Sequence, residues 1–469
     1  MKKALWRKHH KWFGIVISVF MLMFVLSGII LNHRELFAGC DVSRKYLPSR
    51  YKFERWNGGL MRGTTRLSAD SILIYGSDGI WLYRESTGQV EDFNRGLPTA
   101  ADSLNIRRIV TLPGGQAIAA STTGVYSWDG QNWVKALTAD RKITDIEARG
   151  DTVVVLTRSG LYVNAGDGIY RKSQIKPSPE CDGNVSLFRT VWSLHSGELF
   201  GMPGRIFVDI VAVVLLTLTF TGIYIWLGRP GRIKRVNTLW HNRVGAWSIA
   251  FTLLLVITGW CLRPPVMVPL ALTKTSPVPG STLDTDNPWD DRLRGIRFDA
   301  DAGDWIISSA DGFFSLESLT STPHRLTGTP PVSVMGINAW QKAADGQWLC
   351  GSFSGLYRWD RKGCKSTDYF TGEKVSDTPG PPFGQHAVAG FSTDIDSEPI
   401  IVDYYRGTDL LPQPSSLDYL PMSLWNVALE VHSGRMFMGA VATYIFVFVI
   451  GLAAFWCLLS GFKSRFAGG

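Results

Sequence analysis

Five of the eight histidines flank long apolar runs: His10, His33, His195, His241 and His432, with His9 beside His10. Two patterns around them are duplicated. Leu194-His195-Ser196-Gly197 returns as Val431-His432-Ser433-Gly434. His10, four residues before Gly14 and followed by Ser27-Gly28, returns as His241, four residues before Gly245 and followed by Thr258-Gly259 in the same step. A neutral imidazole is a common metal ligand, and two of them on one iron suit an electron-transfer haem. Gly14 and Gly245 sit one helical turn from their histidines, on the same face. There they would let a flat macrocycle lie against the backbone. Small residues also serve close helix packing.

The elements that must position these residues are membrane helices. Hydrophobic residues make up 45% of the chain, and they are concentrated. The runs 12–31, 245–262 and 436–460 hold no charge, and 206–227 holds only Asp209. A span needs roughly 20 apolar residues, so four transmembrane helices are expected. Lys2, Lys3, Arg7, Lys8 and Lys11, then Arg229, Arg232, Lys234, Arg235 and Arg243, then Lys463 and Arg465 mark the cytoplasmic side. The expected order is a cytoplasmic tail and first span (1–33), an outer segment (34–192), a second span (193–228) and a cytoplasmic loop (229–240). A third span (241–263), a second outer segment (264–430) and a fourth span with its tail (431–469) follow. Both termini are then cytoplasmic, as in a bacterial inner-membrane protein whose outer segments are periplasmic. The net charge of +8 resides largely in the cytoplasmic patches. These suit anionic lipid headgroups rather than nucleic acid.

The outer segments read as all-β. Short apolar strands precede turns at Gly79, Gly124 and Gly160, and again at Gly312 and Gly355, each followed by an apolar–aromatic pair. A repeat of roughly 40 residues resembles propeller blades. A sixth unit around 387–405 lacks the glycine–aromatic mark. The expected fold is a four-helix membrane bundle plus one β-propeller-like domain of about six blades, split between the two insertions. Two separate small β domains are the alternative.

The pairing of ligands follows from topology. The first and third spans run outward, and the second and fourth run inward. His10 and His241 therefore share the cytoplasmic level, and His195 and His432 share the outer one. His9 could take the place of His10, and His33 could displace an outer ligand or meet the substrate. Arg205 and Asp209 lie one turn apart in the second span. They either pair with each other or serve function, Arg205 on a haem propionate and Asp209 in proton movement. Among the cysteines, Cys350–Cys364 would clamp a hairpin and Cys40–Cys181 would tie the ends of the first segment.

Taken together, His10-x-x-x-Gly14, Ser27-Gly28, His195-Ser-Gly-Glu, Gly201-x-x-Gly204-Arg205, Thr221-Gly222-Ile-Tyr-Ile-Trp226, His241 and His432-Ser-Gly resemble the PepSY-associated transmembrane family. The resemblance covers the helices, roughly a third of the chain. It implies two haem b groups ligated by His10, His195, His241 and His432, and reduction of a periplasmic ferric siderophore or other ferric chelate. The outer segments depart from the PepSY modules that the family name suggests. No P-loop or dinucleotide fingerprint is present, so an electron donor must be another molecule or dissolved in the membrane, and quinol or a cytoplasmic reductase is expected. The competing reading is a membrane-anchored β-propeller that binds or senses without redox chemistry. It explains the blades and leaves the paired histidines unexplained.

Overall fold

Four helices are long and apolar enough to cross a membrane. In the computed structural model, which describes residues 3–466 apart from 379, 381–383 and 397, they belong to one of two units. That unit comprises Met1–Cys40, Gly183–Asp286 and Ser423–Gly469; the other comprises Asp41–Asp182 and Asn287–Met422.

In the helical unit we label α1 (Lys3–Asn32), α2 (Leu187–Ser196), α3 (Gly201–Leu227), α4 (Arg232–Cys261), α5 (Leu424–His432) and α6 (Ala440–Phe466). The long helices pack in a closed cycle, α1 on α3 and α6, α4 on α3 and α6. Their interior is small and aliphatic: Ile17 meets Ala454 and Cys457, and Val25 meets Ala212 and Leu215. Large side chains point outward instead, Val19 at 68% and Trp247 at 81% exposure. Apolar surface on that scale requires lipid around it.

The short helices α2 and α5 are separate from the spans that follow them. Each begins at a serine whose hydroxyl accepts an early backbone N–H, Ser186 from Arg189 and Ser423 from Asn426. Each is followed by a glycine with φ +79°, Gly197 or Gly434. A Cβ on Gly197 would lie 2.3 Å from the Gly204 carbonyl oxygen, so the turn into α3 tolerates no side chain.

Six antiparallel sheets build the ring of the β unit, five of four strands and one of two. Sheet one is β1 (Gly63–Ser68), β2 (Ser71–Gly76), β3 (Gly79–Arg84) and β4 (Gln89–Asp92); sheet two is β5 (Ile106–Thr111), β6 (Ala117–Ser121), β7 (Gly124–Trp128) and β8 (Trp133–Thr138). Sheet three is β9 (Ile143–Arg149), β10 (Thr152–Thr157), β11 (Leu161–Asn164) and β12 (Arg171–Ser173); sheet four is β13 (Leu293–Asp299), β14 (Asp304–Ser309), β15 (Gly312–Leu316) and β16 (His324–Arg325). Sheet five is β17 (Ala339–Lys342), β18 (Trp348–Ser352), β19 (Gly355–Asp360) and β20 (Lys365–Asp368), and sheet six is β21 (Val388–Ser392) and β22 (Ile400–Asp403). The second strands are buried on both faces because each sheet lies between two others.

Six apolar seams close these sheets into a ring. Leu73 and Ile80 meet Ile109 and Ala119 between sheets one and two. Val125 meets Ile146 and Val155 between two and three, and Leu156 meets Ile296 and Phe314 between three and four. Ile306 and Phe313 meet Trp340 and Trp359, Leu349 meets Phe391, and Ile400 and Val402 meet Ile74 and Trp81. Each fully buried side chain here contributes about 1.5–3 kcal/mol, against about 0–1 kcal/mol for an exposed ion pair. The seams therefore decide the architecture.

Neither expected disulfide forms. All six cysteines are free. Cys350 lies mid-strand opposite Tyr357 and is fully buried with Trp340 and Trp359. Cys364 sits in the turn before β20, exposed, at φ +48°. The hairpin register thus keeps the two on different strands and in different environments. Cys40 is exposed and Cys181 partly buried, and both are thiols.

Candidate functional site

The imidazoles of His10 and His241 face each other with ring centres 6.0 Å apart. Those of His195 and His432 do the same at 6.2 Å. Both pairs are inclined at 54°. Along α1, the step from His10 to the Ser27-Gly28 pair beside His432 corresponds to about 26 Å of helix rise. The two pairs therefore sit near opposite ends of the bundle.

Every one of the four rings is anchored through Nδ1. His10 Nδ1 donates to the Cys457 carbonyl at 3.0 Å, and His432 Nδ1 to the Phe24 carbonyl at 3.0 Å. A carbonyl can only accept, so both nitrogens carry their proton. His195 Nδ1 lies 3.1 Å from Thr258 Oγ1, and His241 Nδ1 lies 2.9 Å from Thr221 Oγ1. Those hydroxyls already donate to helix carbonyls, Thr258 to Leu254 at 2.7 Å and Thr221 to Thr217 at 2.7 Å. They must accept from the rings. Ser27 Oγ does the same for His432 at 3.0 Å while donating to Met23 at 2.6 Å. All four histidines thus carry a proton on Nδ1, which makes Nε2 the acceptor nitrogen of the neutral ring, and none of these Nε2 atoms has a hydrogen-bond partner among the described residues.

Each ring also rests on a glycine of a neighbouring helix. A Cβ would lie 2.9 Å from His10 Cε1 at Gly461 and 2.8 Å from His195 Cε1 at Gly259. It would lie 3.4 Å from His241 Cε1 at Gly222 and from His432 Cε1 at Gly28. The repeating device is a hydroxyl residue and then glycine: Ser27-Gly28, Thr221-Gly222, Thr258-Gly259 and Ser460-Gly461. The last pair escapes sequence alignment because it lies two residues further from His432 than Thr221 lies from His195. The turn between α5 and α6 is longer than that between α2 and α3.

Two nitrogen–metal bonds of about 2 Å, with each ring centre about 1 Å behind its nitrogen, place the centres about 6 Å apart. The observed spacings match. No group of three or more His, Cys, Asp or Glu that could hold a bare ion occurs among the described residues. A two-imidazole centre suits a metal whose other positions a macrocycle fills, so the donor set fits haem iron. Anchored Nδ1–H groups are the usual outer shell of such ligands, fixing ring orientation and raising ligand basicity.

The remaining candidates fall elsewhere. Gly14 and Gly245 have room, the nearest atoms to an added Cβ being Cys457 Sγ and Leu218 Cδ2, each at 3.7 Å. Arg205 pairs with Glu198 at 2.9 Å, not with Asp209. Asp209 instead accepts from Asn32 at 3.3 Å and is bonded to His33 Nε2 at 2.9 Å. His33 is therefore engaged away from both histidine pairs. His9 packs on Phe13 and Trp456 and faces no other histidine. Arg263, just beyond α4, acts electrostatically on both His195 and His432. It was not singled out in the sequence, where it reads as the end of a span.

The fold and site define a four-span membrane protein with two facing histidine pairs in its bundle and a large all-β unit between its spans. The chain belongs to the PepSY-associated TM region family, which it matches over residues 1–229 and 81–464. A search of curated protein sequences finds no match. Among solved structures, the extracellular domain of a hybrid two-component system from B. thetaiotaomicron is 10% identical, with a TM-score of 0.36 over 77% of this chain and 32% of that one. The chain thus spans about a third of that relative's length. A protein of unknown function from Bacteroides thetaiotaomicron is 9% identical, with a TM-score of 0.38 over 76% of this chain and 72% of that one. Sqt1 of Saccharomyces cerevisiae is 10% identical, with a TM-score of 0.27 over 76% and 96%.

Proposed function

We propose that the protein is a di-haem b-type electron-transfer protein of the bacterial inner membrane that reduces a ferric chelate, such as a ferric siderophore, in the periplasm. The observation that carries this reading is the pair of 6 Å gaps between imidazoles anchored through Nδ1. Bound haem supplies reversible one-electron chemistry. His10 and His241 hold one haem and His195 and His432 the other. The Cys457 and Phe24 carbonyls and the Ser27, Thr221 and Thr258 hydroxyls fix each ring through Nδ1, which would leave Nε2 free as the ligand. Gly14 and Gly245 leave the helix surface flat, and Arg205 and Arg263 supply positive charge for propionates. The Lys/Arg-rich tails and the 229–240 loop orient the bundle with both termini in the cytoplasm.

Electrons enter from quinol or a cytoplasmic reductase and leave to the chelate. One electron converts one ferric ion to ferrous, which hard oxygen ligands hold less tightly. His33 Nε2 and Asp209 hold each other at 2.9 Å, apart from the four ligands.

The test is optical. The purified protein should show a Soret band and contain two haem b per chain. Reduced and kept anaerobic, it should be reoxidised by a ferric chelate, with ferrous iron trapped by a colorimetric chelator. A colourless protein that acquires no Soret band on adding hemin would leave the anchored binding module as the reading. Haem that is not oxidised by any ferric chelate would remove the substrate from it.

A further inference from the structure

The sheets of the β unit are joined around the ring by side chains at or just ahead of their first strands. Arg62, ahead of β1, donates from Nη1 to Asn105 Oδ1 at 3.1 Å and to the Ile106 carbonyl. Arg107, the bulged residue of β5, donates from Nε to the Thr144 carbonyl at 3.1 Å. Arg108 pairs with Glu147 at 2.5 Å, and Arg297 of β13 pairs with Asp145 at 2.5 Å and with Glu147 at 3.7 Å. Two of these four guanidiniums therefore pair with the two carboxylates, and Asp78 is a further carboxylate within electrostatic reach of Arg62.

Arg62 and Arg107 are the two left over. Neither forms an ion pair among the described residues, and Arg62 Nε is buried without a hydrogen-bond partner. The architecture does not call for their charge. Between sheets five and six the equivalent bond comes from neutral Asn338, whose Nδ2 donates to the Val388 carbonyl at 2.9 Å. Burial and the neighbouring Arg107 push the Arg62 guanidinium down to about 9 against the opposing pull of Tyr75, Asp145 and Asp78, and burial lowers that of Arg107 against the pull of Asp145. Both nonetheless keep part of their surface accessible. Two enclosed, partly wetted cations on neighbouring strands, with spare N–H donors, form a receptor for an oxyanion.

We propose that Arg62 and Arg107, beside the first strands of sheets one and two, bind a small oxyanion of two or more negative charges. The site itself stands on the ring. Its naming as a chelate site rests on the function proposed above, and there it selects ferric complexes of the hydroxycarboxylate class.

Calorimetry and thermal shift on the full-length protein, with citrate, gallium(III) citrate and inorganic phosphate as probes, test this. Gallium is not reducible under these conditions, so binding is read apart from electron transfer. One site per chain is expected, weakening as salt rises, with the melting temperature rising as ligand is added. Arg62→Gln and Arg107→Gln should each weaken binding tenfold or more. Arg107→Lys, which keeps the charge, should lose less. Absence of binding by all three probes to the wild type overturns the site, as does binding unchanged in both glutamine variants. So does a glutamine variant that melts lower without anion yet binds citrate as before, since the arginines would then be structural. Phosphate binding without citrate or gallium citrate binding keeps the site and removes the chelate. A His195→Ala/His432→Ala double variant should still bind citrate, so failure of the haem reading and failure of this one are separate results.

Discussion

His195 and His432 face each other across 6.2 Å from the last turns of two short helices, each begun nine residues earlier by a capping serine. The cap, the helix length and the glycine after it fix where each ring emerges. The outer pair is thus set by two short, independently capped elements, whereas His10 and His241 ride on the long helices themselves.

Single alanine replacements should separate the two centres. Loss of His10 or His241 should remove the same haem, and loss of His195 or His432 the other, taking the haem count from two to about one in each case. Pyridine haemochrome analysis gives the count and low-temperature spectra tell the centres apart. Four variants that each retain both haems would end the assignment.

Thr258→Val and Thr221→Val remove the hydroxyl that accepts from His195 or His241 and keep the side-chain shape. Outer-shell losses of this kind cost about 10–100-fold in metal affinity or activity. Haem should leave the variant faster, and the affected midpoint potential should rise as the imidazole becomes less basic. An unchanged rate and potential would show that these bonds orient nothing.

Gly259→Ala and Gly461→Ala place a methyl 2.8 Å and 2.9 Å from imidazole carbons, closer than carbon atoms approach. Gly14→Ala meets only Cys457 Sγ at 3.7 Å. The first two should each deplete one haem, with the helical content by circular dichroism unchanged. Gly14→Ala should retain more haem than either. The reverse order would mean that the rings are not seated on these glycines.

Asp299 ties sheet four to sheet five, bonded to Lys342 at 2.6 Å and Arg361 at 2.9 Å while itself 3% exposed. Burial raises its pKa, but the bonds from the two cations outweigh that and hold it below the usual carboxylate range. A carboxyl depressed in the folded state contributes stability above its unfolded pKa and loses it as pH falls through the folded one. The β unit should therefore weaken on acidification below about pH 4. Asp299→Asn should cost about 2 kcal/mol at neutral pH, since Lys342 and Arg361 keep Asp301 and Asp304 as partial replacements. Melting curves at pH 7 and pH 3 check both, and equal losses from the substitution at the two pH values would contradict the sign.

The histidines and six of the eight hydroxyl–glycine residues were legible in the sequence, Ser27-Gly28 and Thr258-Gly259 because the chain repeats itself in step and Thr221-Gly222 as part of the family motif. The repeat fails where a turn differs in length, and Ser460-Gly461 was lost there. Backbone acceptors were illegible for another reason: the Phe24 and Cys457 carbonyls leave no mark in residue type. Glycine–aromatic turns announced five of the six sheets. The disulfides were misjudged because cysteine spacing carries no strand register, and register is what separates Cys350 from Cys364. Arg205 and Asp209 looked like partners from their helical spacing, but each found a stronger one off its own helix face.

The seam between sheets three and four joins residues synthesised before the second and third spans to residues synthesised after them. During translation the first three sheets are complete while two apolar edges of the ring stand open: Ile74 and Trp81 at one end, Leu156 and Leu161 at the other. The neighbouring-sheet partners of these edges, Ile400 and Val402 for one and Ile296 and Phe314 for the other, do not exist until sheets four to six have been made. At about 5–20 residues per second that interval lasts on the order of tens of seconds. For that time the nascent chain is a half-ring with two adhesive faces. The order of the gene makes membrane insertion of α3 and α4 an obligatory step between the making of the ring's halves and their joining, and an assembly factor that shields half-rings would have its work there.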